Sequence, residues 1–303
     1  MDMRVKLPVR GTIMLALRWT WAIARHHWLF LLAYTLIPGV FMAVIFGSAA
    51  DFALIPAAAP SASWIALDLA IMLADICVYV ALAVLTHNEV EHGLGSLTGL
   101  ALGGWIGRAF GYVFDFLLLF LGVSLLTMIG LAAMIGLLMI GRTLLGPAAI
   151  QVPLFISPFV FMAAYVAVLA RLVLRLPTRA LGHPMPWSEV WSMGRGNTLR
   201  LLACGLLVVL LLVAVTLPVE LPLLVFYLPL FPFPDGPPAA APFSPGAMYE
   251  QFAGRLPFVL DLAVSLYFAL VNVIAVILHC SVLSIAYGHL REGLDDPYRG
   301  FEV

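Results

Sequence analysis

Long apolar segments make up nearly all of this chain of 303 residues. Hydrophobic residues account for 63% of it and charged residues for 10%, and its mean hydropathy is +1.08, far above that of a soluble domain. The segments are rich in Leu, Val, Ala, Ile and Phe without strand-like alternation. This composition predicts helices, because lipid cannot hydrogen-bond an open backbone and a helix satisfies its own.

Each apolar segment is long enough to cross about 30 Å of hydrocarbon at about 1.5 Å of rise per residue. We therefore predict an all-α fold, a polytopic membrane bundle of six transmembrane helices in a single domain that covers residues 1–303. The predicted spans are 28–48, 64–86, 110–140, 153–174, 200–218 and 257–286. An even number of spans places both termini on the same side.

Basic residues are distributed unevenly about these spans. Of the 15 Lys and Arg residues, all but Arg142 and Arg255 fall in segments that six crossings bring to one side. By the positive-inside rule that side is the cytoplasm, so we predict that the N- and C-termini are both cytoplasmic.

Three of the predicted cytoplasmic segments combine apolar residues, tryptophan and arginine at helical spacing. They are residues 11–25, 94–108 and 187–200, and each precedes a span. Tryptophan at the headgroups and arginine toward water are typical of helices that lie in the membrane interface. Either the chain contains three repeats of one interfacial helix plus one transmembrane hairpin, or these segments share only the mild amphipathicity of any cytoplasmic linker.

The first of these segments also predicts which helical face is apolar and which is basic. The two sets are Ile13, Leu17, Trp21 and Ala24 against Arg18 and Arg25.

Residues 171–201 read RLVLRLPTRALGHPMPWSEVWSMGRGNTLRL and form the most specific stretch of the chain. An Arg-Leu-x-Leu-x-Leu-Pro-x-x-Ala run leaves a span, a serine and a tryptophan follow, and a Gly-Asn pair precedes the next span. The residues that carry this pattern are Arg171, Leu172, Leu174, Leu176, Pro177, Ala180, Ser188, Trp191, Gly196, Asn197 and Arg200.

On these residues the chain resembles the membrane-domain family fused to some bacterial glycerophosphodiester phosphodiesterases, together with related six-span inner-membrane proteins. Trp191 stands one position from its usual place, and outside this stretch the resemblance is only architectural. The family's soluble catalytic domain has no counterpart in this sequence. The resemblance implies a multi-pass protein of the bacterial inner (cytoplasmic) membrane and no particular reaction.

Five arginines of this stretch form what we call the basic collar, namely Arg171, Arg175, Arg179, Arg195 and Arg200. Together with Asn197 they are the candidate site for anionic lipid headgroups or a protein partner. Each lipid contact of this kind is worth about 1 kcal/mol. The alternative is that the arginines only set the topology.

Local signals in the same stretch predict how the chain turns. Pro177 is expected to end the helix of the fourth span, and Ser188 to cap the next helix with Glu189 in its first turn. Gly194 and Gly196 are expected to permit a tight turn into the fifth span.

Two aspartates, Asp68 and Asp75, lie seven residues apart on one face of the predicted second span. A charged Asp near the middle of a span costs roughly 2.5–3.5 kcal/mol on insertion scales, so it needs a partner or a proton. The candidate partners in the sixth span are Asn272 and His279. These four residues form either a proton-linked or cation-binding site or a structural hydrogen bond between helices. Asp115, near the start of the third span, is expected to reach water.

A further polar group, His87, Glu89, Glu91 and His92, directly follows the second span. Histidines and carboxylates can hold a divalent metal, but histidines five residues apart share a helical face poorly. We interpret the group as a solvated polar stop and predict no metal site. The three cysteines fall within spans and form no disulfide framework.

The sequence contains no phosphate-binding glycine loop, dinucleotide fingerprint, His-Glu-x-x-His pair or Gly-x-Ser-x-Gly elbow, and no basic domain that would suit nucleic acid. We therefore predict a non-enzymatic membrane protein without catalytic residues, cofactor or nucleic-acid partner, which organises protein partners or anionic membrane lipids. The alternative is a small proton- or cation-linked transporter with a midplane site around Asp75. The sequence does not indicate an oligomeric state.

Overall fold

The structure, a computed structural model, describes residues 6–36, 62–96, 102–145, 148–227 and 258–291. Within these residues every regular element is a helix, which confirms the all-helical prediction for this part of the chain. The helices with both ends inside it are α1 (Val9–His26), α2 (Ala62–His92), α3 (Leu102–Leu145), α4 (Ala148–Leu172), α5 (Arg175–Ala180), α6 (Trp187–Gly194), α7 (Thr198–Tyr227) and α8 (Phe258–Arg291). Residues 28–36 are helical as well.

Within the described residues, four stretches are long and apolar enough to cross a membrane, which makes the chain compatible with an integral membrane protein. They are Gly103–Ile140, Phe155–Ala180, Thr198–Pro222 and Leu262–Arg291. These stretches overlap the predicted third to sixth spans, and α2 covers the predicted second one. Residues 37–48 of the predicted first span lie outside the described residues, so the count of six stays a prediction.

The helix α3 contains 44 residues and is therefore about 66 Å long at about 1.5 Å per residue. It begins at Leu102, so residues 102–108 are the first turns of this long helix. The prediction of a separate interfacial helix over 94–108 is therefore wrong for residues 102–108. The helix α3 packs along α4 and against α5, and α6 packs on α4.

The chain forms two compact units, and several helices contribute one end to each. The first unit contains Met1–Trp21, Val80–Leu207 and Leu278–Val303, and the second contains Ala22–Tyr79 and Val208–Ile277. In the second unit the Tyr267 hydroxyl donates a hydrogen bond to the carbonyl oxygen of Val215, which ties α8 to α7. The ion pairs of Asp115 with Arg175 and Arg179, and of Glu91 with Arg291, belong to the first unit.

The helix α1 forms as predicted, but its faces do not follow the prediction. Its packed face consists of Thr12, Ile13, Leu15, Ala16, Trp19, Thr20 and Ile23. Leu17 and Trp21 are exposed, by 37% and 72%, on the same side as the arginines. Apolar residues therefore occupy both faces of α1. Of the two faces, only the one that contains Ile13 packs on the described part of the protein.

The connection from α4 to α7 differs from the prediction at Pro177. The helix α4 ends earlier, at Leu172, and Pro177 is the third residue of α5, where a missing N–H leaves no helical hydrogen bond unmade. Ser188 makes no capping hydrogen bond, whereas Glu189 does lie in the first turn of α6. Gly196 has a φ of +87° and provides the expected turn into α7.

Candidate functional site

A buried charged group of the first unit is Asp115 of α3, whose side chain is 1% exposed. Its carboxylate accepts a hydrogen bond from Arg175 Nε at 2.8 Å and another from Arg179 Nε. Arg175 is itself buried, and the side chain of Arg179 is 29% exposed. The expectation that Asp115 reaches water is wrong, because α5 places two guanidinium groups over it.

Arg175 is held in place by three further contacts. Its guanidinium carbon lies 4.3 Å from the centre of the Trp187 ring of α6, a cation–π distance, and its Nη1 donates to the carbonyl oxygen of Met185. The Thr178 hydroxyl donates to the carbonyl oxygen of Arg175 at 2.7 Å and accepts from the Met185 N–H at 3.3 Å. Arg175 is therefore part of the packed interior and is not available to a mobile ligand.

A third arginine, Arg108 of α3, lies two turns before Asp115 on the same helical face. Its Nη1 donates to Asn88 Oδ1 at 2.7 Å and, more weakly, to the carbonyl oxygen of Ala180 at 3.5 Å. The Asn88 amide in turn donates to the carbonyl oxygens of Val84 and Ala180 at 2.8 and 2.9 Å. Asn88 thus joins the end of α2 to the beginning of α3 and the end of α5.

Glycines allow these arginines to approach the opposite segment. A Cβ on Gly182, which has a φ of +83°, would lie 3.1 Å from Arg108 Nε. A Cβ on Gly111 would lie 3.5 Å from Arg179 Cδ. Arg108 therefore lies across Gly182, which is three residues after Arg179. Arg179 lies across Gly111, which is three residues after Arg108.

The end of α4 is joined to α6 and α7 through Arg171. Its Nε donates to Thr198 Oγ1 at 2.6 Å, and its guanidinium carbon lies 4.6 Å from the centre of the Trp191 ring. A Cβ on Gly194 would approach Arg171 Cγ to 3.1 Å and Arg171 Cα to 3.3 Å. Gly194 is therefore needed for close packing, which differs from the expected role in a turn.

Asn197 and Arg200 hold the beginning of the chain. The N–H of Leu7 donates to Asn197 Oδ1 at 2.9 Å, and Arg200 Nη1 donates to the carbonyl oxygen of Leu7 at 2.8 Å. Leu7 is fully buried. Asn197 and Arg200, two members of the candidate lipid site, thus fix the segment that precedes α1.

The polar group at the end of α2 is largely buried, so the interpretation as a solvated stop is wrong. His87 Nδ1 and the Ser284 hydroxyl of α8 are hydrogen-bonded at 2.6 Å, and Glu89 accepts from the Gly95 N–H at 2.9 Å. Glu91 is paired with Arg291 at 3.0 Å, and His92 is exposed. Burial lowers the pKa of His87 to about 3, so its ring stays neutral.

The basic collar does not form one continuous surface. Arg171, Arg175, Arg179 and Arg200 each bind protein groups, while Arg195, the C-cap residue of α6, is exposed.

Only two side chains of the predicted midplane site lie within the described residues. Asn272 and His279 lie seven residues apart on α8, and both are exposed. The side chains of Asp68 and Asp75 lie outside the described part of the structure, although α2 places both residues on one helical face. The alternative site around Asp75 stays a prediction.

Comparisons with protein-family models, with curated proteins and with solved structures found no match.

Sequence reasoning missed Asp115, Arg108 and Asn88 as members of one cluster. A signal was present, since Arg108 and Asp115 are seven residues apart and therefore share a face of α3. The partner positions in α2 and α5 are separated from them by long stretches of chain, so only the tertiary structure joins them. The resulting cluster contains three arginines and one carboxylate, so it carries more positive than negative charge.

Proposed function

We propose that this chain is a multi-pass protein of the bacterial inner membrane that crosses it six times, has no enzymatic activity, and gathers anionic lipids at its cytoplasmic face through interfacial helices.

The outer face of α1 carries this proposal. Arg10, Met14, Leu17, Arg18 and Trp21 are all exposed on it, while the opposite face is packed. In water, such a row of exposed apolar side chains would be costly, and at a membrane surface the same row enters the headgroup region. The arginines beside it match the negative surface of a leaflet that contains anionic lipid.

The connectivity of the first unit supports six crossings. Leu7 binds Asn197, and Asn88 binds Ala180 and Arg108, so the beginning of the chain, the end of α2, the beginning of α3 and the α5–α7 connection meet at one level. If α2 crosses the membrane, the chain must cross once more before it. The predicted span 28–48 is the candidate for that crossing.

Two further observations support the proposed role. The resemblance of residues 171–201 favours a bacterial inner-membrane protein. Asp115 and His87 are buried and bonded to neighbours in α5 and α8, which favours a structural role for them.

Photocrosslinking in the cell's own membranes tests the proposal. A benzophenone amino acid replaces Trp21, and a matched probe replaces Phe120, which is 51% exposed in the middle of α3. We expect the probe at Trp21 to capture phosphatidylglycerol more often than the probe at Phe120, by about fivefold for each arginine contact. The double variant Arg10→Gln, Arg18→Gln should remove this preference.

Equal lipid adducts at Trp21 and Phe120 would contradict the proposal. A protein adduct of one fixed mass at Trp21 would replace it with docking of a partner protein on the same face.

A further inference from the structure

The arginine cluster of the first unit carries more positive charge than its own residues neutralise. Two guanidinium groups, those of Arg175 and Arg179, pair with the one carboxylate of Asp115, and a third, that of Arg108, lies two turns earlier on the same face of α3. Arg108 binds only neutral acceptors, and among the described residues no carboxylate lies within ion-pair distance of it. A partly buried surplus of this kind favours an anionic ligand.

The two outer arginines also retain free donors. Arg108 uses only Nη1, so its Nε and Nη2 have no protein acceptor in the described part of the chain. Arg179 binds Asp115 through Nε and Nη2, so its Nη1 also has no protein acceptor in the described part of the chain. None of these three nitrogens is enclosed, so they reach the surface of the unit.

Their positions bring these donors to one side of α3. Arg108 lies against Gly182, and Arg179 lies against Gly111, one turn after Arg108. Arginine donors in a planar fork bind phosphate oxygens in pairs, and a phosphate accepts several such bonds at once.

We propose that Arg108 and Arg179 together bind one phosphate group, which neutralises the surplus charge beside Asp115. The phosphate belongs to an anionic phospholipid, because the exposed Phe114, one turn after Gly111 on α3, offers an apolar surface to acyl chains. This site rests on the membrane placement proposed above, and it is separate from the outer face of α1.

Native mass spectrometry of the full chain, released from nanodiscs of equal parts phosphatidylglycerol and phosphatidylcholine, tests the site. We expect one phosphatidylglycerol to stay bound under activation that removes phosphatidylcholine. The variant Arg108→Gln should lower its occupancy about tenfold or more, the scale of one lost charge-assisted contact. The matched control Arg195→Gln removes an exposed arginine and should change it less than about twofold.

A second arm adds inorganic phosphate to the wild-type protein. If phosphate displaces the phosphatidylglycerol, the phosphate group alone is recognised and the soluble ion is a ligand. If it does not, the glycerol and acyl chains contribute and the ligand is the lipid.

Equal losses in Arg108→Gln and Arg195→Gln would overturn the site in favour of general charge attraction. Wild-type protein that retains the two lipids equally would overturn it without any variant, even if Arg108→Gln fails to fold. Loss of the bound lipid in Arg108→Gln with unchanged adducts at Trp21 separates this site from the role of α1. In the double variant Arg10→Gln, Arg18→Gln, a retained bound lipid with an unchanged preference at Trp21 would leave the site intact and contradict the proposed function.

Discussion

At the scale of single residues, Asp115 shows how a carboxylate is accommodated near the start of an apolar helix. Two guanidinium groups donate to it, and the stacking of Arg175 on Trp187 fixes the inner one. The dependence is mutual, because the buried Arg175 needs the Asp115 carboxylate as its counter-charge. Removing one partner is therefore more costly than the pair itself is stabilising.

The substitution Asp115→Asn tests this dependence. We expect it to destabilise the protein by about 3 kcal/mol, because Arg175 then stays buried without a counter-charge. The measurement is the melting temperature of the detergent-solubilised protein. The exposed Glu189→Gln is the control, and an equal shift in both variants would contradict the structural role of Asp115.

A second prediction at this scale concerns Gly194. The substitution Gly194→Ala places a Cβ at 3.1–3.3 Å from the side chain and Cα of Arg171, so α6 must move from α4 at a cost of about 1–3 kcal/mol. The control is Gly205→Ala in α7, where nothing lies within 4 Å of the new Cβ and helix propensity predicts a neutral or slightly stabilising effect. Thermal melting distinguishes the two, and equal stability would show that α6 adjusts freely.

At the scale of elements, the sequence predicted where helices form, but it did not predict what packs against each of their faces. The pattern of α1 identifies a helix, but both of its faces are apolar in part, and periodicity cannot tell whether an apolar residue such as Trp21 contacts protein or lipid. The end of α2 shows the opposite error. His87 and Glu89 have the composition of a solvated stop, yet the ends of several helices meet there and bury them.

The segment before α1 provides a prediction at the same scale. The substitution Asn197→Ala removes the acceptor of the Leu7 N–H, a contact worth about 1 kcal/mol, so the segment should detach about fivefold more often. Limited trypsin cleavage after Lys6 and Arg10 should then be faster by that factor. Asn197→Asp keeps the acceptor oxygen and should be cut like the wild type, and cleavage of both variants at one rate would assign the effect to another contact of Asn197.

At the scale of the whole molecule, hydrogen bonds within the first unit constrain how often the chain crosses a membrane. Groups that share a hydrogen bond lie at the same depth, so Leu7, Asn197, Ala180 and Asn88 report one side. The ion pair between Glu91 and Arg291 brings the end of α8 to the end of α2. Between any two of these positions the number of crossings must therefore be even.

This parity gives a topology experiment that is independent of hydropathy. We expect green fluorescent protein fused at either terminus to fluoresce, because both termini are predicted to be cytoplasmic. Six spans then place residues 229–247, between the fifth and sixth, on the external side, so alkaline phosphatase fused there should be active. A fusion within residues 183–186 should report the same compartment as the termini, since the α5–α7 connection binds Leu7 and Asn88. Opposite compartments for the N-terminus and the α5–α7 connection would mean an odd number of crossings between them, which the bond from Leu7 to Asn197 does not permit. Such a result would refute the packing of the first unit as well as the six-span topology.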